Sequence, residues 1–181
     1  IIQGHLLFLE KKPQEAIQYF KQMASLISDE RDIHTHPELS TYQLEQINTC
    51  YLKIAQIAEE QKDKKEALFY YNLCSKSSNQ LKNDIDFIGA DAYYGMAVLL
   101  QDLDKKLRYI QKSLAAVTLD YQNYSPLDNP EQIENMLDRA KALSCLNLKI
   151  FVLTSKWKTQ AEDYRWLKLA LKTCQLADQL I

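Results

Sequence analysis

Residues 11–27 read "KKPQEAIQYFKQMASLI". Two near-copies follow it, "KDKKEALFYYNLCSKSS" from Lys62 and "DLDKKLRYIQKSLAAVT" from Asp102. Each opens on a lysine-bearing polar turn. Apolar residues then recur three and four apart, the spacing of one face of an α-helix. None holds a group that would do chemistry. One short amphipathic helix written three times predicts a repeat architecture, whose function belongs to the surface the repeats build together.

Aligned on Ala16, Ala67 and Leu107, the copies place Phe20, Tyr71 and Gln111 one turn on, then Met23, Cys74 and Leu114. Upstream of the anchors lie the small residues Gly4, Ala55 and Gly95, followed by Leu7, Ala58 and Val98. Still earlier, where the chain covers them, are Tyr51 and Asp91. A small residue in one helix, a turn, and a small–large–apolar series in the next describe a helical hairpin. The small residues let two backbones approach, and the large ones fill the gap toward the next hairpin.

This pattern resembles the tetratricopeptide repeat. Gly4-Leu7-Ala16-Phe20-Met23 and Tyr51-Ala55-Ala58-Ala67-Tyr71-Cys74 carry the resemblance, and Gly95-Val98-Leu107-Leu114 carries it in part. In the third copy Gln111 stands where an aromatic is expected and Leu107 where Ala is. The resemblance covers residues 1–118. The ordinary repeat spans about 34 residues, whereas the anchors here are 51 and 40 apart. The surplus falls in "ISDERDIHTHPELST" and "SNQLKNDIDF", so helices or linkers are expected to be longer than standard.

The resemblance implies an all-α, right-handed α-solenoid of about four antiparallel helical hairpins, forming a single domain over residues 1–181. It also implies that the first helix of each hairpin lines a groove. The inward residues would be Ile1, His5, Phe8 and Leu9 in the first hairpin and Leu52, Gln56, Glu59 and Glu60 in the second. In the third they would be Ala92, Met96, Leu99 and Leu100. A partly apolar, slightly acidic groove suits a helix or extended peptide with apolar anchors. The competing expectation is that neighbouring repeats bury these same residues.

Periodicity supports the hairpins independently. Ile47, Tyr51, Ile54 and Ala58 form one stripe; Ala67, Tyr71, Cys74, Ser78 and Leu81 form another; Leu103, Leu107, Ile110, Leu114 and Val117 form a third. "FIGADAYYGMAVLL" is apolar nearly all round, as in a helix packed on several sides. "LDNPEQIENMLDRAKALSCLNLKIFVLT" predicts a long helix with Asn129 as N-cap, Pro130 at its first position and Gln132 closing a capping box. "SKWKT", with Trp157, is expected to turn the chain into a last helix, "QAEDYRWLKLALKTCQLADQLI".

Composition narrows the remaining classes. With 3 Gly and 4 Pro in 181 residues, the chain lacks the turns a sandwich or barrel needs. A net charge of −2 and four scattered arginines argue against direct nucleic-acid binding. The first 60 residues carry a mild acidic bias. Cys50, Cys74, Cys145 and Cys174 form no Cys-x-x-Cys pair, and three continue apolar stripes. They are read as reduced thiols of an intracellular, cytoplasmic chain. No transmembrane segment or signal peptide is expected. The chain starts without Met and both ends fall inside helical patterns, so it is read as part of a longer protein.

Three further features have bland explanations. The histidines of "HTH" at 34–36 sit among acids in a polar stretch better explained as a solvated loop than as a metal site. The lysine runs at 11–12, 62–65 and 104–106 could align as a basic ridge for an acidic partner or anionic lipid, but interleaved acids favour a solvated face. The eleven tyrosines fall mostly at packing positions. No nucleophile–base pair, glycine-rich phosphate loop or His-Glu-x-x-His motif appears.

The expectation is therefore a non-enzymatic scaffold or adaptor without a cofactor, binding a protein or peptide partner, with a larger complex as one setting for it. The alternative is the peptide-sensing domain of a Gram-positive quorum-sensing regulator. A third reading is a structural subunit of a large eukaryotic complex.

Overall fold

The computed structural model describes residues 1–29, 37–78, 87–118, 136–161, 163–179 and 181. They form eight α-helices: α1 (Ile2–Leu9), α2 (Pro13–Asp29), α3 (Pro37–Glu60), α4 (Lys64–Ser78), α5 (Phe87–Leu99), α6 (Leu103–Thr118), α7 (Met136–Thr159) and α8 (Tyr164–Asp178). The described residues contain no strand. The all-α expectation holds. Two compact units divide the chain, Ile1–Gly95 and Met96–Ile181.

The turns come from the sequence that opened the reading. At the end of α1, Lys11 adopts φ 61°. Its N–H bonds the Phe8 carbonyl at 3.0 Å, and the Lys12 N–H bonds the Leu7 carbonyl at 3.0 Å. The end of α3 repeats this arrangement with Lys62 at φ 64°. There the Lys62 N–H bonds Glu59 O and the Asp63 N–H bonds Ala58 O, both at 2.9 Å. This double bond pattern closes a helix and satisfies its last carbonyls, and it normally uses glycine at the left-handed position. Here lysine fills it twice, which is why a chain so poor in glycine can still make tight hairpins.

The following helices start at once. Pro13 has no N–H to leave unpaired at the first position of α2. Asp63 Oδ1 accepts the Glu66 N–H at 3.0 Å, and Asp102 Oδ1 accepts the Asp104 and Lys105 N–H groups at 2.9 Å each. Lys105 and Lys106 thus lie in the first turn of α6.

In the first unit α1 packs on α2, α2 on α3 and α3 on α4. Ala16, Ile17, Phe20, Ala24, Cys50, Ile54 and Ile57 form a continuous core, with Leu7, Phe8, Tyr51 and Tyr70 against it. The alignment anchors Ala16 and Ala67 are each 0 % exposed. Gly4 admits the Phe20 ring so closely that a Cβ there would stand 2.6 Å from Cζ. Lys21 of α2 pairs with Glu66 of α4 at 2.8 Å, and Gln14 of α2 donates to Gln61 in the turn between α3 and α4 at 2.9 Å.

In the second unit α6 packs on α7 and α7 on α8. Ile110, Leu114 and Val117 of α6 are buried, as are Ala142, Cys145, Leu146, Val152 and Leu153 of α7 and Ala170, Thr173 and Ala177 of α8. Leu103 and Leu107, expected on the α6 stripe, are only half-buried.

One expectation is corrected. "SKWKT" is not a turn: α7 runs through it to Thr159, and the chain turns at Gln160 and Ala161 (φ 54°). Nothing in 155–159 breaks a helix, and Lys156 is anchored by tertiary contacts described below. Asp163 then caps α8 by accepting the Arg165 N–H at 3.0 Å. The proposed cap at Asn129, Pro130 and Gln132, the histidines at 34 and 36, and Leu81 lie outside the described residues.

Candidate functional site

The first-helix surface of the first unit brings several sequence-predicted residues together. His5 of α1 is half-buried and meets the Phe20 ring edge-on, with centroids 5.8 Å apart. Burial, and then the charge of Lys53 on α3, push its pKa below the usual histidine value. Leu7 and Phe8 of α1 pack against the core cluster that includes Cys50, Ile54 and Ile57 of α3. Lys53 Nζ donates to Gln56 Oε1 at 3.1 Å, three residues along α3.

One turn further along α3, Glu59 Oε2 accepts the Tyr71 hydroxyl at 2.6 Å. Burial, this hydrogen bond and the nearby Glu59 and Asp91 charges push the Tyr71 pKa far up. Asp91 belongs to α5. His5, Lys53, Gln56, Glu59 and Asp91 therefore lie along the first helices of successive hairpins, none fully buried. Charge changes sign along this surface, from Lys53 to Glu59, Glu60 and Asp91.

Other predicted groove residues are placed differently. Leu52 is 5 % exposed, Ala92 0 % and Met96 5 %, so none of them presents a side chain to a partner. For Ala92 and Met96 the reason is α5 itself, on which Gly89, Ala90, Tyr93, Gly95 and Ala97 are buried too. Phe8 is half-buried against the core cluster. Leu99 and Leu100 are half-buried, whereas Leu9 and Glu60 are exposed. The surface is consequently more polar than the sequence suggested.

The thiols of Cys50, Cys74 and Cys145 are buried, Cys174 is partly exposed, and all four are free. Burial raises the Cys50 pKa, which keeps it protonated and inert. Among the described residues no cluster of His, Cys, Asp or Glu could hold a metal ion, and no helix is long and apolar enough to cross a membrane.

Sequence reasoning missed two features. A shallow depression of roughly 430 Å³ is lined by Leu7, Gln14, Glu15, Gln18, Tyr19 and Gln22. Its signal was present, since Gln14, Gln18 and Gln22 fall one turn apart along α2. The second is Lys156, 2 % exposed in the second unit. Its ammonium pairs with Asp104 of α6 and lies 4.0 Å from the centroid of the Trp166 ring of α8. Trp166 in turn donates its ring N–H to Gln160 at 2.7 Å. Desolvating a lysine is costly unless a counter-charge accompanies it, and here a carboxylate and an aromatic face share that task. No local pattern announces such a lysine, because its partners come from two other helices.

Compared with known proteins, the chain matches no family model, no curated protein and no solved structure.

Proposed function

We propose that this chain is a non-enzymatic interaction module, a right-handed tetratricopeptide-like stack of helical hairpins that holds a segment of a protein partner. The observation that carries this reading is the row of half-exposed polar side chains on α1, α3 and α5 of the first unit. His5, Lys53, Gln56, Glu59 and Asp91 offer donors and acceptors of both signs beside a rigid apolar core. A segment laid across them would be recognised by hydrogen bonds and charge order, with Phe8 adding limited apolar contact. The role is that of a scaffold or adaptor within the cell.

The test places a photo-crosslinking amino acid at position 56 of the full chain, with a second variant carrying it at exposed position 69 on α4. A partner crosslinked reproducibly from position 56, and lost on adding Lys53→Glu, supports the reading. Equal crosslinking from both positions, or an unchanged yield with Lys53→Glu, sinks it. Circular dichroism checks that each variant folds.

A further inference from the structure

The buried stripe of α7 contains a lysine with no counter-ion among the described residues. Ala142, Cys145, Leu146, Val152, Leu153 and Lys156 are all buried on one face of this helix. Lys149 falls in the middle of that series at helical spacing, so its stem lies on the same face. It is half-buried. A lysine in this position must find an acceptor or stretch its ammonium toward water. Lys156, two turns on, has Asp104 and the Trp166 ring. Lys149 forms no hydrogen bond or ion pair among the described residues.

Among the described residues, the charge acting on Lys149 is that of a second lysine. Helix α8 runs antiparallel to α7, and the register that sets Lys156 on Trp166 brings Lys172 beside Lys149. Burial first, and then the Lys172 charge, lower the Lys149 pKa. Lys172 is exposed and also forms no ion pair among the described residues. On the other side, the pairs Lys156–Asp104 and Ser113–Cys145 set α6 antiparallel to α7. The level of Lys149 then falls at Tyr109–Gln111, and Asp104 is the only acid of α6. Between Asp138 and Glu162 the sequence has no acid, and within α8 the only one is Asp178 at its last turn.

We propose that Lys149 and Lys172 form a carboxylate-binding site on the α7–α8 surface, which takes an acidic side chain of a bound protein segment. This rests on the interaction-module reading and names the chemistry that one part of the partner must carry. Two ammonium groups that repel each other, one of them partly removed from water, are both relieved by a single bridging carboxylate. Partial exclusion of water strengthens that contact relative to one between exposed charges. Leu169, one turn from Lys172 and 46 % exposed, offers apolar contact that a polypeptide can use and a free ion cannot.

The experiment measures fluorescence anisotropy of a short labelled peptide alternating Glu and Leu, titrated with the full chain. A Gln/Leu peptide serves as its neutral counterpart and inorganic phosphate as competitor. Lys149→Met and Lys172→Met are compared with Lys158→Met, which removes the same charge from an exposed site on α7. The expected result is saturable binding weakened by about tenfold or more in either of the first two variants and by less than about twofold in the third. Lys149→Arg should retain binding, which guards against a folding artefact. Equal losses in all three variants, no saturable binding, or equal binding of the Gln/Leu peptide would overturn the site. Displacement by phosphate at the concentration of the sites would overturn its assignment to a protein segment. The Tm of Lys149→Met should rise, because an unpaired desolvated charge has been removed. A fall would show that Lys149 is already satisfied within the chain, and would also overturn the proposal. Crosslinking from position 56 with no lysine-dependent peptide binding rejects this site alone; failure of both rejects the module as well.

Discussion

Gly95 and Tyr71 interlock: a Cβ added to the glycine would stand 2.3 Å from Cζ of the tyrosine ring and within 2.7 Å of two further ring atoms. The same ring is held from its other end, where its hydroxyl donates to Glu59. It therefore cannot swing away freely. The first hairpin repeats the device with Gly4 and Phe20. In both places the small residue of the repeat pattern is small because an aromatic ring occupies the space of its side chain.

Gly95→Ala sets two effects against each other. Alanine gains about 1 kcal/mol of helix propensity over glycine, whereas overpacking costs about 1–3 kcal/mol. Contacts this short, against a tethered ring, place the clash at the upper end. A net loss of about 1–2 kcal/mol in urea unfolding is expected. In a Tyr71→Leu background the same change should become neutral or stabilising. If Gly95→Ala is stabilising with the ring present, the close packing does not exist.

The lysine turns make a prediction of the opposite sign. Lys11 and Lys62 occupy the left-handed region, which costs an L-residue about 1–2 kcal/mol, partly offset for glycine by its greater unfolded-state entropy. Each of Lys11→Gly and Lys62→Gly should raise stability by about 0.5–1 kcal/mol, with an unchanged helical spectrum. Lys64→Gly, inside the first turn of α4, should lower it. A loss of stability in both turn variants would contradict the turn geometry.

Tyr71 links the first unit to alkaline pH. Its pKa is raised in the folded protein, chiefly by burial and then by the Glu59 bond. Below about pH 10 the phenol is protonated in both states and the shift has no effect on stability. Above it the unfolded chain releases the proton while the folded chain keeps it, so stability falls as pH rises. The difference in unfolding free energy between wild type and Tyr71→Phe should move against wild type by up to about 1.4 kcal/mol per pH unit in that range. Urea midpoints at pH 9 and pH 11 measure it, and a constant difference would refute it.

Asp104 and Lys156 should behave as a coupled pair. Asp104→Asn leaves a lysine that is 2 % exposed with only the Trp166 face to balance it. A buried pair broken on one side typically costs about 3–5 kcal/mol, but Asp104 is itself largely exposed, so about 1–3 kcal/mol is expected. Lys156→Met should cost less, and the double variant should recover most of the Asp104→Asn loss. Additive losses in a double-mutant cycle would show that the two residues do not interact.

Much of the hairpin plan was legible in the chain because its determinants are local. Apolar stripes at three and four residues act within one or two turns, and the caps at Asp63 and Asp102 were equally local, although they were not picked out from the sequence. The buried anchors Ala16 and Ala67 follow from the same periodicity. The candidate surface was only half legible. Gln56 and Glu59 are accessible at the expected places, but Leu52, Ala92 and Met96 are covered, since spacing tells which residues share a face and not how many neighbours that face meets.

Apolar period and the scarcity of glycine and proline were enough to specify an all-α protein, because both act over a few residues. The end of α7, the filling of the Gly95 gap by Tyr71, and the pairing of Lys156 but not, among the described residues, of Lys149 emerge only in three dimensions. Those outcomes depend on atoms brought together from helices far apart in the chain. Packing and desolvation act on such distances, and no local pattern encodes them.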